Sequence, residues 1–314
     1  SCWTDCARAV ADALVDQLRT ACTGDVRADA SLASRTTLRV GGHARVLVEA
    51  ETDEDLAAVG AAAERHGVAV LVLGRGSNTL VADAGWPGIV VVLGRGLRGV
   101  EVDLDDDGGT VRVGAAEPMP ALAVRLADAG LGGFAWAAGV PGAVGGAVVM
   151  NAGAHGGEMV DHLVEVDLVR LGSGTRETWA ADLLGLGYRS SALPSDAVVV
   201  EATLRLPAAD ADVVRAEVRE VRDWRRAHQP INEPNCGSVF TNPPGDSAGR
   251  LIDSAGGKGL SCGGASVSPV HANFITTTPG ATAADVIGLV QELQDLVERT
   301  HGVRLHPEVT VVGA

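Results

Sequence analysis

The chain has 314 residues, 46% of them hydrophobic but only 3% aromatic, and a formal charge of −15. That length supports a sizeable core in two or three domains, filled by Val, Ala and Leu rather than by rings. The acidic balance excludes nucleic acid or an anionic membrane as the main partner, whereas an anionic small ligand needs only a local cluster of Arg, Lys and backbone N–H groups. Residues Cys6 to Thr20 carry helical spacing, with Val10, Ala13, Leu14, Gln17 and Leu18 on neighbouring faces. Ala44 to Glu49 reads as a strand. Thr52 is the expected N-cap of a helix, with Asp55 at its third position, His66 at its end and Gly67 as its stop. Val68 to Leu73 is expected to be a short buried strand feeding the loop Gly74-Arg75-Gly76-Ser77-Asn78-Thr79. Ile89 to Leu93 is another strand. Val100 to Leu104 and Thr110 to Val113 alternate around an Asp-Gly turn, which predicts a hairpin.

Pro118 to Ala129 reads as a helix with proline in its first turn. Val164 to Leu171 and Thr175 to Trp179 flank Gly172-Ser173-Gly174 as a second hairpin, and Val198 to Leu206 is a further strand. Pro207 and Ala208 mark a domain boundary. A charged helix follows over Asp212 to His228, then a polar loop to Cys236, a short helix over Asp246 to Ala255 and a strand over Ala272 to Thr276. Thr282 caps a helix that ends at His301 before Gly302, and a last strand covers Glu308 to Val312. Helices and strands alternate without a regular βαβ rhythm, so the fold class is α+β in more than one domain.

Five cysteines, odd in number and irregularly spaced without a CxxC pair, do not form a secreted disulfide framework. With no basic region ahead of an apolar run at the start, the expected location is cytoplasmic. The histidines show no ligand spacing, so no metal site is expected. Gly94 to Gly99 matches GxGxxG, but the next residues alternate as a strand. A dinucleotide fingerprint needs a helix there, so the match is a turn. The loop Gly74 to Thr79 has another logic. Successive N–H groups beside Arg75 suit an anion nest for a pyrophosphate, against the plain alternative of a surface turn.

The stretch Gly130 to Glu158 stands apart, with no charged residue between Asp128 and Glu158. Its competing reading is a membrane span with a GxxxG pair at Gly142 and Gly146. Pro141 and the many glycines oppose that helix, and the flanks lack a basic bias. A backbone that must approach a flat ligand closely explains the glycines better, so Gly139, Val140, Pro141, Gly142, Ala143, Gly145 and Gly146 form a candidate cofactor floor. Ser238 beside Gly237, Arg189 after Tyr188 and Glu308 after Pro307 each have an ordinary structural reading when taken alone.

Together these pieces resemble the UDP-N-acetylenolpyruvoylglucosamine reductases (MurB). The resemblance rests on Thr36 to Gly42, Gly74 to Val81, Gly139 to Gly146 with Met150 to Ala154, Tyr188 to Ser191, Cys236 to Phe240 with Asn242-Pro243, Ala248 to Ile252, Gly263 to Ala265 with His271-Ala272-Asn273-Phe274, and Pro307 to Val309. It spans the chain from about residue 30 to the end, and order and spacing make it specific. It implies FAD bound in a fold of the vanillyl-alcohol-oxidase type, in two subdomains (29–85, completed by 303–314, and 86–207), a substrate-binding domain over 208–302 and an N-terminal extension over 1–28. It implies that NADPH reduces FAD and that flavin N5 passes hydride to C3 of the enolpyruvyl group on UDP-GlcNAc. The chain is separately expected to be a monomer. Arg39, Gly41, Gly42, Gly74, Arg75, Gly76, Ser77, Asn78 and Thr79 would join the glycine stretch in holding FAD.

In the same resemblance Arg189 and Glu308 stabilise the charge on the substrate carboxylate, Ser238 is the general acid to C2, and Tyr188, Asn242, His155 and His228 contact the nucleotide sugar. The trio's wide separation in sequence fits a site assembled between domains. His155 stands where the family usually has Tyr, His228 where it commonly has Lys, and Arg250 replaces a frequent Lys. The first two bear on the UDP and phosphate contacts, not on the reaction. The short span from Tyr188 to Cys236 resembles the shorter, type II subgroup. The competing functions are an FAD oxidase of the same superfamily acting on an alcohol or sugar, and a non-catalytic nucleotide-sugar binding module.

Overall fold

The computed structural model describes residues 13–313. Part of the helix expected over Cys6 to Thr20 therefore lies outside the described residues, and residues 13–21 are helical (α1). The chain packs as two compact units. One comprises the chain up to Asp29 with Arg45–Arg75 and Gly88–Asp223, the other Ala30–Ala44, Gly76–Pro87 and the chain from Trp224.

In the first unit a four-stranded sheet runs in the spatial order Val26–Ser31, His43–Ala50, Trp86–Leu93, Val70–Val72. Helix α2 (Asp53–His66) starts as its sequence predicts, with Thr52 Oγ1 accepting from the Asp55 N–H at 3.2 Å, and Gly67 closes it at φ 59°. Leu14 and Leu18 of α1 and Leu56, Val59 and Ala62 of α2 share a core with Val46, Val48, Ile89 and Val91 of the sheet. The expected strand over Val68 to Leu73 shrinks to Val70–Val72 and is not fully buried, with Val72 39% exposed. It is the sheet's edge, where one side has no partner strand to cover it.

Asp55 has a second task that its position in the helix did not announce. It is wholly buried. Its carboxylate accepts from the Thr23 N–H at 2.7 Å, the Gly24 N–H at 3.2 Å, the Glu51 N–H at 2.8 Å and the Thr23 hydroxyl at 3.0 Å. A buried carboxylate is tolerated only when its lone pairs are filled in this way. The segment that leaves α1 is thereby tied to the first turn of α2.

The same unit holds an antiparallel five-stranded sheet in the order Arg176–Ala180, Leu163–Arg170, Ala197–Pro207, Gly108–Gly114, Val100–Asp105. Both predicted hairpins are present, and the Gly94 to Gly99 match is a tight turn over Arg95–Leu97 ahead of a strand. Helix α3 (Met119–Asp128) packs here through Leu122, Ala123 and Leu126. The uncharged stretch divides into a 3-10 turn over Ala135–Gly139, the six-residue helix α4 (Val144–Val149) and a two-residue hairpin pairing Gly153 with Glu158. Helix α5 (Ala211–His228) begins in this unit and buries Val214, Val218 and Val221, one helical stripe. No helix of the described residues is long and apolar enough to cross a membrane.

The second unit contains a small sheet of Ser261–Cys262, Ala265–Val267 and Ile275–Thr277, and a parallel pair of Thr79–Val81 with Thr310–Val312. Its helices are α6 (Ala248–Ser254) and α7 (Ala283–His301). Helix α7 carries the predicted cap in reciprocal form, Thr282 with Asp285, and the Asp83 carboxylate adds acceptors for the Ala283 and Ala284 N–H groups at 2.8 and 2.9 Å. Leu289, Leu293 and Val297 of α7 share a core with Leu251 and Ile252 of α6 and with Leu38 and Leu80. The strand expected over Ala272 to Thr276 begins only at Ile275, because residues 271–274 form a turn closed by the Phe274 N–H on His271 O at 3.0 Å.

Replacing Asp55 by Ala leaves the Thr23, Gly24 and Glu51 N–H groups without the acceptor that the buried carboxylate supplies. The expected loss is about 3 kcal/mol of stability, read as a lower denaturation midpoint at unchanged slope. A shift below about 0.5 kcal/mol, the size of an ordinary surface substitution, would show that the carboxylate does not anchor this segment.

Candidate active site

In the first unit the glycine stretch is fixed by its own backbone. The Met119 N–H donates to Gly142 O at 3.1 Å, the Val144 N–H to Glu117 O at 3.0 Å and the Gly145 N–H to Ala115 O at 2.9 Å, while Ala143 pairs with Pro118. Arg75 Nε donates to Pro141 O at 3.1 Å, which joins the end of the Gly74 loop to the stretch. Gly74 and Gly146 are exposed, and a Cβ on either would meet no heavy atom within 4 Å. At Gly145, by contrast, a Cβ would stand 3.0 Å from Ala115 Cβ. Glycines in contact with nothing are not required by packing, so an exposed glycine-lined backbone beside an arginine fits a flat ligand bearing a diphosphate, as FAD does.

Three residues close to this stretch in the chain or in space hold left-handed backbone, Asn151 at φ 38°, His155 at 50° and Arg189 at 53°. Such conformations cost non-glycine residues energy and persist where the surroundings over-determine them. Arg189 Nη2 donates to Gly153 O at 2.9 Å, and its guanidinium lies 5.0 Å from the Tyr188 ring centroid. Asn151 is 2% exposed; it donates to Glu158 Oε2 at 3.0 Å and Gly187 O at 3.2 Å and accepts from the Val160 N–H at 3.0 Å. It thus ties the glycine hairpin to the loop that carries Tyr188 and Arg189. The His155 ring packs over Gly139, where a Cβ would come within 3.2 Å of His155 Cδ2. Tyr188 is 56% exposed.

In the second unit Arg39 also has left-handed φ, 56°, and Gly41 lies at 117°, where a Cβ would stand 2.8 Å from Val81 Cβ. The Gly42 N–H donates to Ala82 O at 3.0 Å and the Thr37 N–H to Gly76 O at 3.1 Å. Gly76 has φ 62°, and a Cβ there would stand 2.3 Å from Arg35 O, so only glycine fits. Ser77 is half-buried. Asn78 and Thr79 stood in the sequence as cofactor contacts. In the structure Asn78 Nδ2 donates to Glu308 O at 3.2 Å and Thr79 pairs with Thr310, so both hold the Glu308 segment in place.

Ser238 and Glu308 lie on neighbouring antiparallel segments. The Glu308 N–H donates to Val239 O at 2.7 Å, the Thr241 N–H to His306 O at 3.0 Å, and Phe240 pairs with Pro307. Gly237, at φ 76°, turns the chain into Ser238, with its N–H on Asn235 Oδ1 at 2.9 Å. Cys236 is buried beside them. Burial, helped by the Glu308 charge, pushes its thiol up to about 12, so it stays neutral.

Asn242 Oδ1 accepts from the Ala248 N–H at 3.0 Å and so supports the start of α6, while Arg250 pairs with Asp246. His228 closes α5. Its Nδ1 donates to Trp224 O at 2.8 Å and its ring stacks on the indole, 4.5 Å between centroids at 16°. Arg226, Gln229, Ile231 and Asn232 line a surface depression next along the chain. Arg225 beside it is held by Gln229 Oε1 at 2.9 Å, and burial alone lowers its guanidinium from the ordinary value. Sequence reasoning singled out neither Trp224 nor Arg225, since a charged helix end reads as a solvated face.

Two family profiles match the chain. One, described as "FAD binding domain", covers residues 44–179, and the other, "UDP-N-acetylenolpyruvoylglucosamine reductase, C-terminal domain", covers 229–312. A UDP-N-acetylenolpyruvoylglucosamine reductase of Halalkalibacterium halodurans is 39% identical over 96% of this chain and 98% of its own length. One from Methylorubrum extorquens is 44% identical over 96% and 97%. The crystal structure of the UDP-N-acetylenolpyruvylglucosamine reductase (MurB) from Thermus caldophilus superposes with a TM-score of 0.76 at 37% identity, covering 92% of this chain and 98% of that one. With an exposed glycine cradle of the kind FAD needs and a full-length likeness to these enzymes, the chain belongs to the UDP-N-acetylenolpyruvoylglucosamine reductases, a family of FAD-binding oxidoreductases.

Proposed function

We propose that the protein uses NADPH to reduce UDP-N-acetylglucosamine enolpyruvate to UDP-N-acetylmuramate, a step of peptidoglycan precursor synthesis, with Ser238, Arg189 and Glu308 as its catalytic residues. The observation that carries the assignment of Ser238 and Glu308 is their shared main-chain clamp, the Glu308 N–H on Val239 O at 2.7 Å. Arg39, Gly41, Gly42, Gly74 to Thr79 and the stretch Gly139 to Gly146 hold the cofactor in this reading. FAD, when bound, supplies a two-electron carrier between the nicotinamide and the enolpyruvyl group.

Addition of hydride at C3 drives negative charge into the substrate carboxylate, and a fixed guanidinium with a hydrogen-bonding carboxyl stabilises that charge. Arg189 is suited to the first role because its side chain is already anchored at Gly153 O. Glu308, in hydrogen-bonding or protonated form, takes the second, and the neutral Cys236 thiol places no further charge beside it. Ser238 then gives its hydroxyl proton to C2. Its O–H bond breaks as the C2–H bond forms, and solvent restores the proton. A serine is a weak acid, so the basicity of the intermediate must drive the transfer.

Tyr188, Asn242, His155 and His228 are assigned to the nucleotide sugar. The domain reading that goes with this has residues 29–85 with 303–314, and 86–207, holding FAD and residues 208–302 holding the substrate, with 1–28 outside. It makes the protein a cytoplasmic monomer, in keeping with the free thiols of Cys22, Cys236 and Cys262.

Purified protein is expected to be yellow and to oxidise NADPH only when the enolpyruvyl substrate is present. Protein that stays colourless after incubation with FAD would overturn the reading, and rapid reoxidation by oxygen with peroxide release would favour an oxidase instead. Ser238→Ala is expected to keep reduction of the bound flavin by NADPH but to lose substrate reduction by about a hundredfold or more, the usual scale of a general acid. Equal loss in both half-reactions would contradict the acid role.

A further inference from the structure

We propose that Asn273 is a positioning residue that sets the Ser238 hydroxyl for proton delivery, an inference that rests on the reading of Ser238 and Glu308 above. Asn273 is 4% exposed, and it grips the segment after Ser238 by three hydrogen bonds. Its main-chain oxygen accepts from the Val239 N–H at 2.9 Å. Its side-chain oxygen accepts from the Phe240 N–H at 3.0 Å, and its side-chain amide donates to Phe240 O at 2.9 Å. The amide thus stands in for a neighbouring strand on one edge of residues 239–240, while His306 to Glu308 occupy the other through Val239 O and Thr241 N–H. Clamped on both edges, this short segment cannot slide or twist, and Ser238 immediately precedes it.

The clamp has its own support. Residues 271–274 form the tight turn closed by the Phe274 N–H on His271 O. His271 Nδ1 accepts from the Asn273 N–H at 3.2 Å. That bond needs the neutral ring, and burial, with Lys258 and His228 nearby, lowers His271 from its ordinary value. Only Asn has both an acceptor and a donor on a side chain of this length, so the identity of residue 273 is set by the paired hydrogen bonds. General-acid catalysis depends on the hydroxyl lying within hydrogen-bond reach of the carbon, and a misplacement of about 1 Å can cost on the order of a hundredfold.

The test uses the FAD-loaded enzyme and follows its two half-reactions separately by flavin absorbance. Asn273→Ala is expected to retain flavin and to be reduced by NADPH within about twofold of the parent. Its reoxidation by the enolpyruvyl nucleotide sugar should slow at least roughly tenfold, with a larger solvent deuterium isotope effect because proton delivery has become limiting. Asn273→Asp guards against a folding failure and adds a second readout. Its ionised carboxylate keeps the acceptor for the Phe240 N–H but lacks the donor to Phe240 O, so reoxidation should recover as pH falls and the carboxyl is protonated. The titrating neighbours His271 and Glu308, and the charges of Lys258 and His228 acting on His271, are common to the parent, whose profile serves as the control. Equal slowing of both half-reactions, an unchanged isotope effect, or no recovery of Asn273→Asp on acidification would overturn the proposal. Ser238→Ala measured alongside separates the two readings. If it reoxidises at the parental rate, the acid role of Ser238 falls; if it fails while both Asn273 variants match the parent, only the role of Asn273 falls.

Discussion

The antiparallel contact of residues 239–241 with 306–308 is the constraint on which the proposed chemistry depends. Thr241 and His306 are 65 positions apart, and closing so long a loop carries an entropic cost before any contact repays it. Main-chain hydrogen bonds at 2.7 and 3.0 Å meet that cost with no demand on side-chain identity. Asn78, 230 positions from Glu308, holds the other end of the same segment through Glu308 O. The parallel pairing of Thr79–Val81 with Thr310–Val312 then carries the constraint onward. A motif that reads as a phosphate-binding loop is therefore also an anchor of the segment that carries Glu308, the carboxylate proposed as catalytic.

Local signals explain what the sequence made legible. Thr52 with Asp55, Thr282 with Asp285, and Gly67 and Gly302 are caps whose chemistry is complete within one helical turn, and each helix starts and stops where they indicate. The hairpins around Asp105 to Gly108 and Gly172 to Gly174 are local in the same sense. What escaped is non-local. The strands Thr79–Val81 and Ser261–Cys262 are too short to show a period, and they exist because a distant segment supplies the partner. Ala272 and Asn273 read as the start of a strand by composition, but the Asn273 amide is used across the chain on Phe240, which bends them into a turn. Asp55 was legible as a helix-start residue and not as a buried acceptor for Thr23 and Gly24, because those donors arrive from another element.

The candidate site shows the same division. Ser238, Glu308 and Arg189 were identified from matched motifs, and nothing in their local sequence distinguishes them from turn or strand-start residues. The supporting shell was less visible. Asn151 ties Gly187 to Glu158, and Cys236 supplies a buried neutral wall, yet neither has a periodic or charge signal of its own.

Strain completes the account of the uncharged stretch. Left-handed backbone at Asn151, His155 and Arg189 costs of order 1–3 kcal/mol at each residue, the range for sparsely populated φ/ψ regions. Two of them contact glycines directly. The His155 ring lies over Gly139, and Arg189 reaches the carbonyl of Gly153, whose own Cβ would strike Glu158. A charged side chain at Val144, Ala147 or Val148 would face the buried sheet core. The glycines and the absence of charge therefore have two separate causes. Close approach of backbone to neighbouring groups selects glycine, and burial of α4 against the sheet excludes charge. Gly74 and Gly146 are open where a side chain would stand and carry no positive φ, so neither cause accounts for them, and a ligand lying against the backbone does.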